Sequence, residues 1–120
     1  MLFRSPEGSR AGRAEKRMME TEFRKESLVI AQKIAAFAGK KGMSAGHFAI
    51  NWVLNNAIVT SVIAGPRTLE QWQDYLKALE FKFEPRGEAL VDSLVSIGHP
   101  STPGYNDPQY PLTGRIPLVS

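Results

Sequence analysis

Ile58-Val59-Thr60-Ser61-Val62-Ile63-Ala64-Gly65-Pro66-Arg67-Thr68-Leu69-Glu70-Gln71-Trp72-Gln73-Asp74-Tyr75 is the stretch that decides how this chain is read. Its opening is rich in β-branched residues and of strand length, which predicts one buried strand over about 58–64, closed by Gly65-Pro66. Beyond the turn the period changes. Leu69, Trp72, Leu76 and Leu79 recur along one side of a helix running from about Leu69 to Leu79. A lone buried strand leaves its own N–H and C=O groups unpaired, so it requires strand neighbours, and no other segment here reads as one. Residues 58–63 therefore pair with another chain, or the sequence is a piece of a larger parallel-sheet protein.

Upstream, the spacing predicts two helices. Phe23, Ile30, Ile34 and Phe37 form one stripe, flanked by Ala31, Ala35 and Ala38, in a helix beginning near Glu20. Lys40 and Lys41, set between Gly39 and Gly42, make its C-terminal stop, since cations suit the negative helix end and glycine accepts a left-handed cap. Ser44 is the expected N-cap of a second helix to about Asn55, apolar on most of its surface. Downstream, Pro85 suits the first turn of a fourth helix whose Leu90, Val91, Leu94 and Ile97 face inward. After Gly98, prolines at 100, 103, 108, 111 and 117 forbid regular structure, leaving an extended tail.

Composition narrows the classes. The chain has 120 residues, 42% hydrophobic and 22% charged, which is ordinary for a globular domain. No apolar run approaches the roughly 20 residues of a membrane span, and no secretory signal is read at the N-terminus. With no cysteine there is no disulfide framework and no thiol nucleophile, which fits a cytoplasmic setting. The net charge is +3, and Arg4, Arg10, Arg13, Lys16, Arg17, Arg24 and Lys25 supply much of the basic side. Glu7, Glu15, Glu20 and Glu22 are interspersed among them, so residues 1–19 read as a solvated basic loop rather than a nucleic-acid arm.

The turn at 65–71 carries the chemistry. A helix N-terminus presents unpaired N–H groups and partial positive charge, and Arg67 adds a forked cation able to grip phosphate at two points. Gly65 permits close approach of a ligand to the backbone, and Gln71 lies one turn into the helix. Each residue also has a purely structural reading. Thr68-x-x-Gln71 fits a capping box, Arg67 suits a surface position, and Gly65 suits a strand end.

The stretch resembles the last βα unit of the aldo-keto reductases, with its apolar strand, Gly and Arg turn, and polar residues on the following helix. Other segments resemble that family in the same order. They are Pro6-Glu7-Gly8-Ser9-Arg10, Ile34-Ala35 through Gly42-Met43-Ser44, Ala49-Ile50-Asn51-Trp52-Val53-Leu54, Phe83-Glu84-Pro85, and Tyr105-Asn106-Asp107-Pro108 with Gly114-Arg115. The resemblance implies an α/β fold, the C-terminal fragment of a (β/α)8 TIM barrel. Residues 20–98 would be the partial domain and 99–120 an extended Pro-rich tail. It also implies an NADP(H) site, with Gly65 and Arg67 lining the 2′-phosphate and Gln71, Asp74 and Tyr75 on the adenine side. Pro6–Arg10 would be a loop near the cofactor. Two positions depart from the family: Ala64 stands where a proline is usual, and Tyr75 where an asparagine is.

The family's catalytic tyrosine, lysine, aspartate and histidine lie N-terminal to anything matched here, so the resemblance assigns no catalytic residue to this chain. Tyr75, Tyr105 and Tyr110 fall on the cofactor helix and the tail. His47 reads as a packed or partly exposed histidine on an apolar helix, and His99 lies in a Pro/Gly coil without a second ligand at metal spacing. The expected function is the nucleotide-binding part of an NADP(H)-dependent carbonyl reductase, inactive alone. The alternative is a non-catalytic family derivative that oligomerises. Expected partners are the cofactor and either the remainder of the barrel or a second copy. A helix-turn-helix around Lys40-Lys41 is disfavoured, because the would-be recognition helix from Ala45 to Leu54 has no Arg or Lys.

Overall fold

A computed structural model describes residues 7–9, 12, 13, 16, 23–104 and 107–120. Four helices follow in order within residues 23–104, all described: α1 Lys25–Gly39, α2 Ala45–Leu54, α3 Leu69–Lys77 and α4 Pro85–Leu94. A 3-10 turn, Ala78–Glu80, extends α3, so the third helix tightens before Leu79 instead of reaching it as α-helix. The readings made at Glu20–Glu22, Pro6, Arg10, Tyr105 and Asn106 lie outside the described residues, while Phe23, expected on the stripe of the first helix, precedes α1, whose N-cap Arg24 is extended.

The helix ends follow the local chemistry. α1 stops where Gly42 adopts φ 75°, a left-handed conformation costly for residues with a Cβ, and Met43 N–H returns to the Ala38 carbonyl at 3.1 Å. Two residues on, Ser44 Oγ accepts from His47 N–H at 3.1 Å while His47 Nδ1 accepts from Ser44 N–H at 3.2 Å. That is a capping box with an imidazole in the usual Glu/Gln place. Thr68 caps α3 through Gln71 N–H at 3.1 Å, and Pro85 opens α4. Lys41 Nζ reaches Glu84 at 2.6 Å, joining the α1–α2 turn to the start of α4. That hydrogen bond, then the lysine charge, holds the Glu84 carboxyl below its usual range.

Ala38, Met43 and Phe48 form the buried core, with Ile34, Phe37, Trp52, Phe81, Phe83 and Val91 packed around it. Phe48 is the hub. Its ring lies edge-on to Phe37 at 5.8 Å and tilted against Phe83 at 5.2 Å. α4 approaches this cluster through Gly87, where an added Cβ would sit 2.8 Å from Phe83 Cζ and 3.1 Å from Phe48 Cε2. Gly87→Ala is therefore expected to lower stability by roughly 1–3 kcal/mol through overpacking, despite alanine's better helix propensity. A urea midpoint equal to or above that of the wild type would contradict this.

The predicted strand over 58–64 does not form. Among the described residues no backbone hydrogen bond reaches residues 60–66, and the ladder is reduced to a single antiparallel bridge between Asn56 and Pro117. The reason is the one that made a lone strand suspect: a strand exists through its neighbours, and the described residues supply none. Ile63 is 99% exposed and Ile58 63%. The apolar side of α3 is equally bare, with Leu69, Trp72, Leu76 and Leu79 all exposed. Of the α4 residues read as inward-facing, Val91 packs on the core, whereas Ile97 beyond the helix end is exposed.

Among its described residues the tail carries no helix or strand, yet it is docked. Arg115 makes a two-point contact with the buried carboxylate of Glu88 at 2.6 and 2.8 Å, donates to the Trp52 carbonyl at 2.8 Å, and stacks 3.8 Å from the Trp52 ring centre. Asn55 exchanges hydrogen bonds with the Val119 backbone in both directions and also donates to Glu88. Arg24 and Ser27 of the α1 start hold Ser101 at the tail's beginning.

Candidate functional site: the turn before α3

The tail meets the chain at Asn55–Ala57, at the entrance to the 57–66 segment. The candidate anion site lies at the other end, where Pro66-Arg67-Thr68 leads into α3. Gly65 is exposed, and a Cβ built there would find nothing within 4 Å, so open space adjoins the backbone at this point. Arg67 is exposed as well. Its Nη1 lies 3.4 Å from the carbonyl of Gly8, which brings the turn against the 7–9 segment despite a sequence separation of 59.

Gln71 closes the turn. Its Oε1 accepts from Arg67 N–H at 2.7 Å, while its own N–H is held by Thr68. The capping box expected between Thr68 and Gln71 is therefore displaced by one residue: the amide returns to Arg67 instead of Thr68. This bond fixes the backbone from which the guanidinium projects. The first-turn N–H groups of Leu69 and Glu70 have no partner among the described residues, as helix geometry demands. Forked cation, free amides and open space at Gly65 together form a donor set suited to a phosphate.

One turn further, Asp74 stands apart from this cluster. Its side chain is half exposed, and one oxygen, Oδ1, lies 3.1 Å from Nε2 of His47. The same Nε2 lies 2.9 Å from the Asp74 carbonyl. Tyr75 is half-buried beside Ala78, whose carbonyl accepts from buried Asn51 of α2 at 2.9 Å. The structure thus joins Arg67 to Gln71 and Gly8, and attaches Asp74 to α2. Of the packed and partly exposed readings of His47 the structure has the buried one, and the bond to Asp74 was not legible in the sequence. Only the Ser44-x-x-His47 spacing hinted that the ring was engaged. Among the described residues no group of His, Asp and Glu could hold a metal, and no helix is long and apolar enough to cross a membrane.

The sequence profile of the aldo/keto reductase family matches residues 4–96, most of the chain. The chain belongs to the aldo/keto reductase family. The match takes in the 7–9 segment, both α1 and α2, the candidate turn and α3. An uncharacterized oxidoreductase of Bacillus subtilis (strain 168), YrpG, is 36% identical over 53 residues, which cover 44% of this chain and 16% of that protein's length. No solved structure matches. The family's fold is a (β/α)8 barrel, and this aldo/keto reductase chain is mostly helical, without a strand among its described residues.

Proposed function

We propose that this aldo/keto reductase chain forms the C-terminal part of a (β/α)8 barrel. It supplies the site for the 2′-phosphate and adenine of NADP(H) in an aldehyde or ketone reductase. The observation carrying this reading is the arrangement at Arg67. An exposed guanidinium projects from a turn locked by Gln71, beside Gly65 and the first-turn amides of α3. Its contact with the Gly8 carbonyl further supports it, since the loop around Gly8 resembles the family's cofactor-side loop. Gly65 and Arg67 would hold the phosphate. Asp74, an acceptor, suits the exocyclic amine of adenine, and Tyr75 can offer its ring edge. When bound, the cofactor supplies the hydride. These residues bind and orient it and move no proton themselves. The proton donor comes from outside residues 1–120, and the setting is cytoplasmic.

Adenosine 2′,5′-bisphosphate contains only the half of NADP(H) that this chain is proposed to hold. Followed through Trp72 fluorescence, it is expected to bind the full chain at least roughly 10-fold more tightly than adenosine 5′-monophosphate, as one charge-assisted contact predicts. Equal affinity, or no binding, contradicts the proposal. The purified chain alone should show no NADPH-dependent carbonyl reduction. A second reading, a non-catalytic derivative that pairs with another copy, is favoured by the bare Ile58 and Ile63. It requires a discrete dimer on a sizing column.

A further inference from the structure

We infer that His47 is the positioning residue for the adenine end of the site, acting through the carboxylate of Asp74. The inference rests on the cofactor reading of α3 given above. His47 lies on α2, 27 residues before Asp74, and is 7% exposed. Its two ring nitrogens have fixed, different tasks. Nδ1 accepts the Ser44 N–H, which leaves the proton of the neutral ring on Nε2. That Nε2–H is directed at Asp74, 2.9 Å from its carbonyl and 3.1 Å from Oδ1. The ring itself is clamped by stacking on Phe81, 5.3 Å between centres.

The geometry has two consequences. The bond to the Asp74 carbonyl fixes α3 against α2 at the level of residue 74. The bond to Oδ1 selects one side-chain rotamer and leaves Oδ2 free, on a side chain that is half exposed. An acceptor held in one orientation binds an amine better than a freely rotating one, because the rotamer entropy is lost on folding rather than on binding. His47 touches no ligand in this scheme. It decides where the aspartate oxygen points.

Glutamine separates this role from the cap. His47→Gln keeps the ordinary capping-box partner for Ser44 but carries a shorter side chain that does not reach Asp74. In the full chain, His47→Gln is expected to weaken adenosine 2′,5′-bisphosphate by roughly 3- to 10-fold, the size of an ordinary hydrogen-bond contribution. Its affinity for inorganic pyrophosphate, which needs only the Arg67 turn, should stay unchanged. Asp74→Asn should lose a similar amount, and the double variant little more than either single one, because both remove the same oriented oxygen. Unfolding midpoints report the cap independently, and His47→Gln, which keeps the cap but loses the Asp74 bond, should fall less than His47→Ala. Wild-type bisphosphate affinity in His47→Gln, or full additivity with Asp74→Asn, overturns the inference while leaving the site intact. Failure of the wild-type chain to bind the bisphosphate removes the site, and this inference with it.

Discussion

Replacing Arg115 with alanine is expected to destabilise the chain by about 3 kcal/mol or more, a large fraction of the stability of a small domain. Glu88 is 4% exposed, and its carboxylate is satisfied by Arg115 and Asn55. Without the guanidinium the charge stays in a dry site with one amide for company. The expense is the stranded carboxylate far more than the lost attraction. Removing both partners, as Arg115→Ala with Glu88→Leu, should therefore recover much of the loss. Urea unfolding of the two variants decides it. Equal midpoints for Arg115→Ala and the wild type would show that the tail is not held by this pair.

The pH dependence has a defined sign. Burial pushes the Glu88 carboxyl up, but the Arg115 hydrogen bond, the Asn55 amide and the Arg115 charge together outweigh it, leaving it below the ordinary value of 4.5. A group depressed in the folded state contributes stability that is present above its unfolded pKa and lost as pH falls through the folded value. Wild-type stability from this group thus declines on acidification below about 4.5. In Arg115→Ala only burial and Asn55 remain, so the carboxyl rises and acid relieves part of the defect. The gap between variant and wild type should narrow as pH drops. A gap that widens contradicts this account of the pair.

In the barrel-complete protein, Arg67→Ala should weaken NADPH by roughly 10- to 100-fold while changing NADH by less than about 2-fold. The two cofactors differ by one phosphate, and a guanidinium in an open turn interacts with that group through two parallel N–H bonds. Gln71 holds the Arg67 backbone and not its side chain, so the substitution leaves the turn itself in place. Equal losses for both cofactors would mean that Arg67 shapes the turn rather than reading the phosphate.

Much of the helical framework was legible in the sequence because its signals are local. Ser44, Thr68 and Pro85 mark helix starts within a residue, and Gly42 marks the stop of α1 through its own conformation. The strand was legible only as a propensity. Residues 58–63 have β-forming side chains, but a strand is a relation between segments, and without a partner the run stays irregular. The side shared by Leu69, Trp72 and Leu76 was legible, but it stands bare for the same reason: periodicity gives a face, not what covers it.

Glu88 with Arg115, and His47 with Asp74, were invisible for a different cause. Each pair is separated by 27 positions, and nothing in one member's surroundings announces the other. Glu88 even interrupts the apolar pattern of α4 as a charged residue facing in. A buried charge in a helix is a signal that some partner exists, though not which one. At the candidate site, Gly65, Arg67 and Gln71 could be read from a turn of seven residues. The displaced amide bond of Gln71 to Arg67 depended on backbone geometry that composition does not carry.

On the proposed reading, the turn and first helical residues from Gly65 to Tyr75 hold the adenine and 2′-phosphate of NADP(H). An amide-resolved NMR titration of the full chain with adenosine 2′,5′-bisphosphate is the decisive experiment. Saturable shifts are expected on residues 65–75 and on Gly8, with adenosine alone producing far weaker ones. Shifts centred elsewhere, such as on the cleft formed by Ile30, Leu94, His99 and Pro108, or no saturable shifts at all, would contradict it.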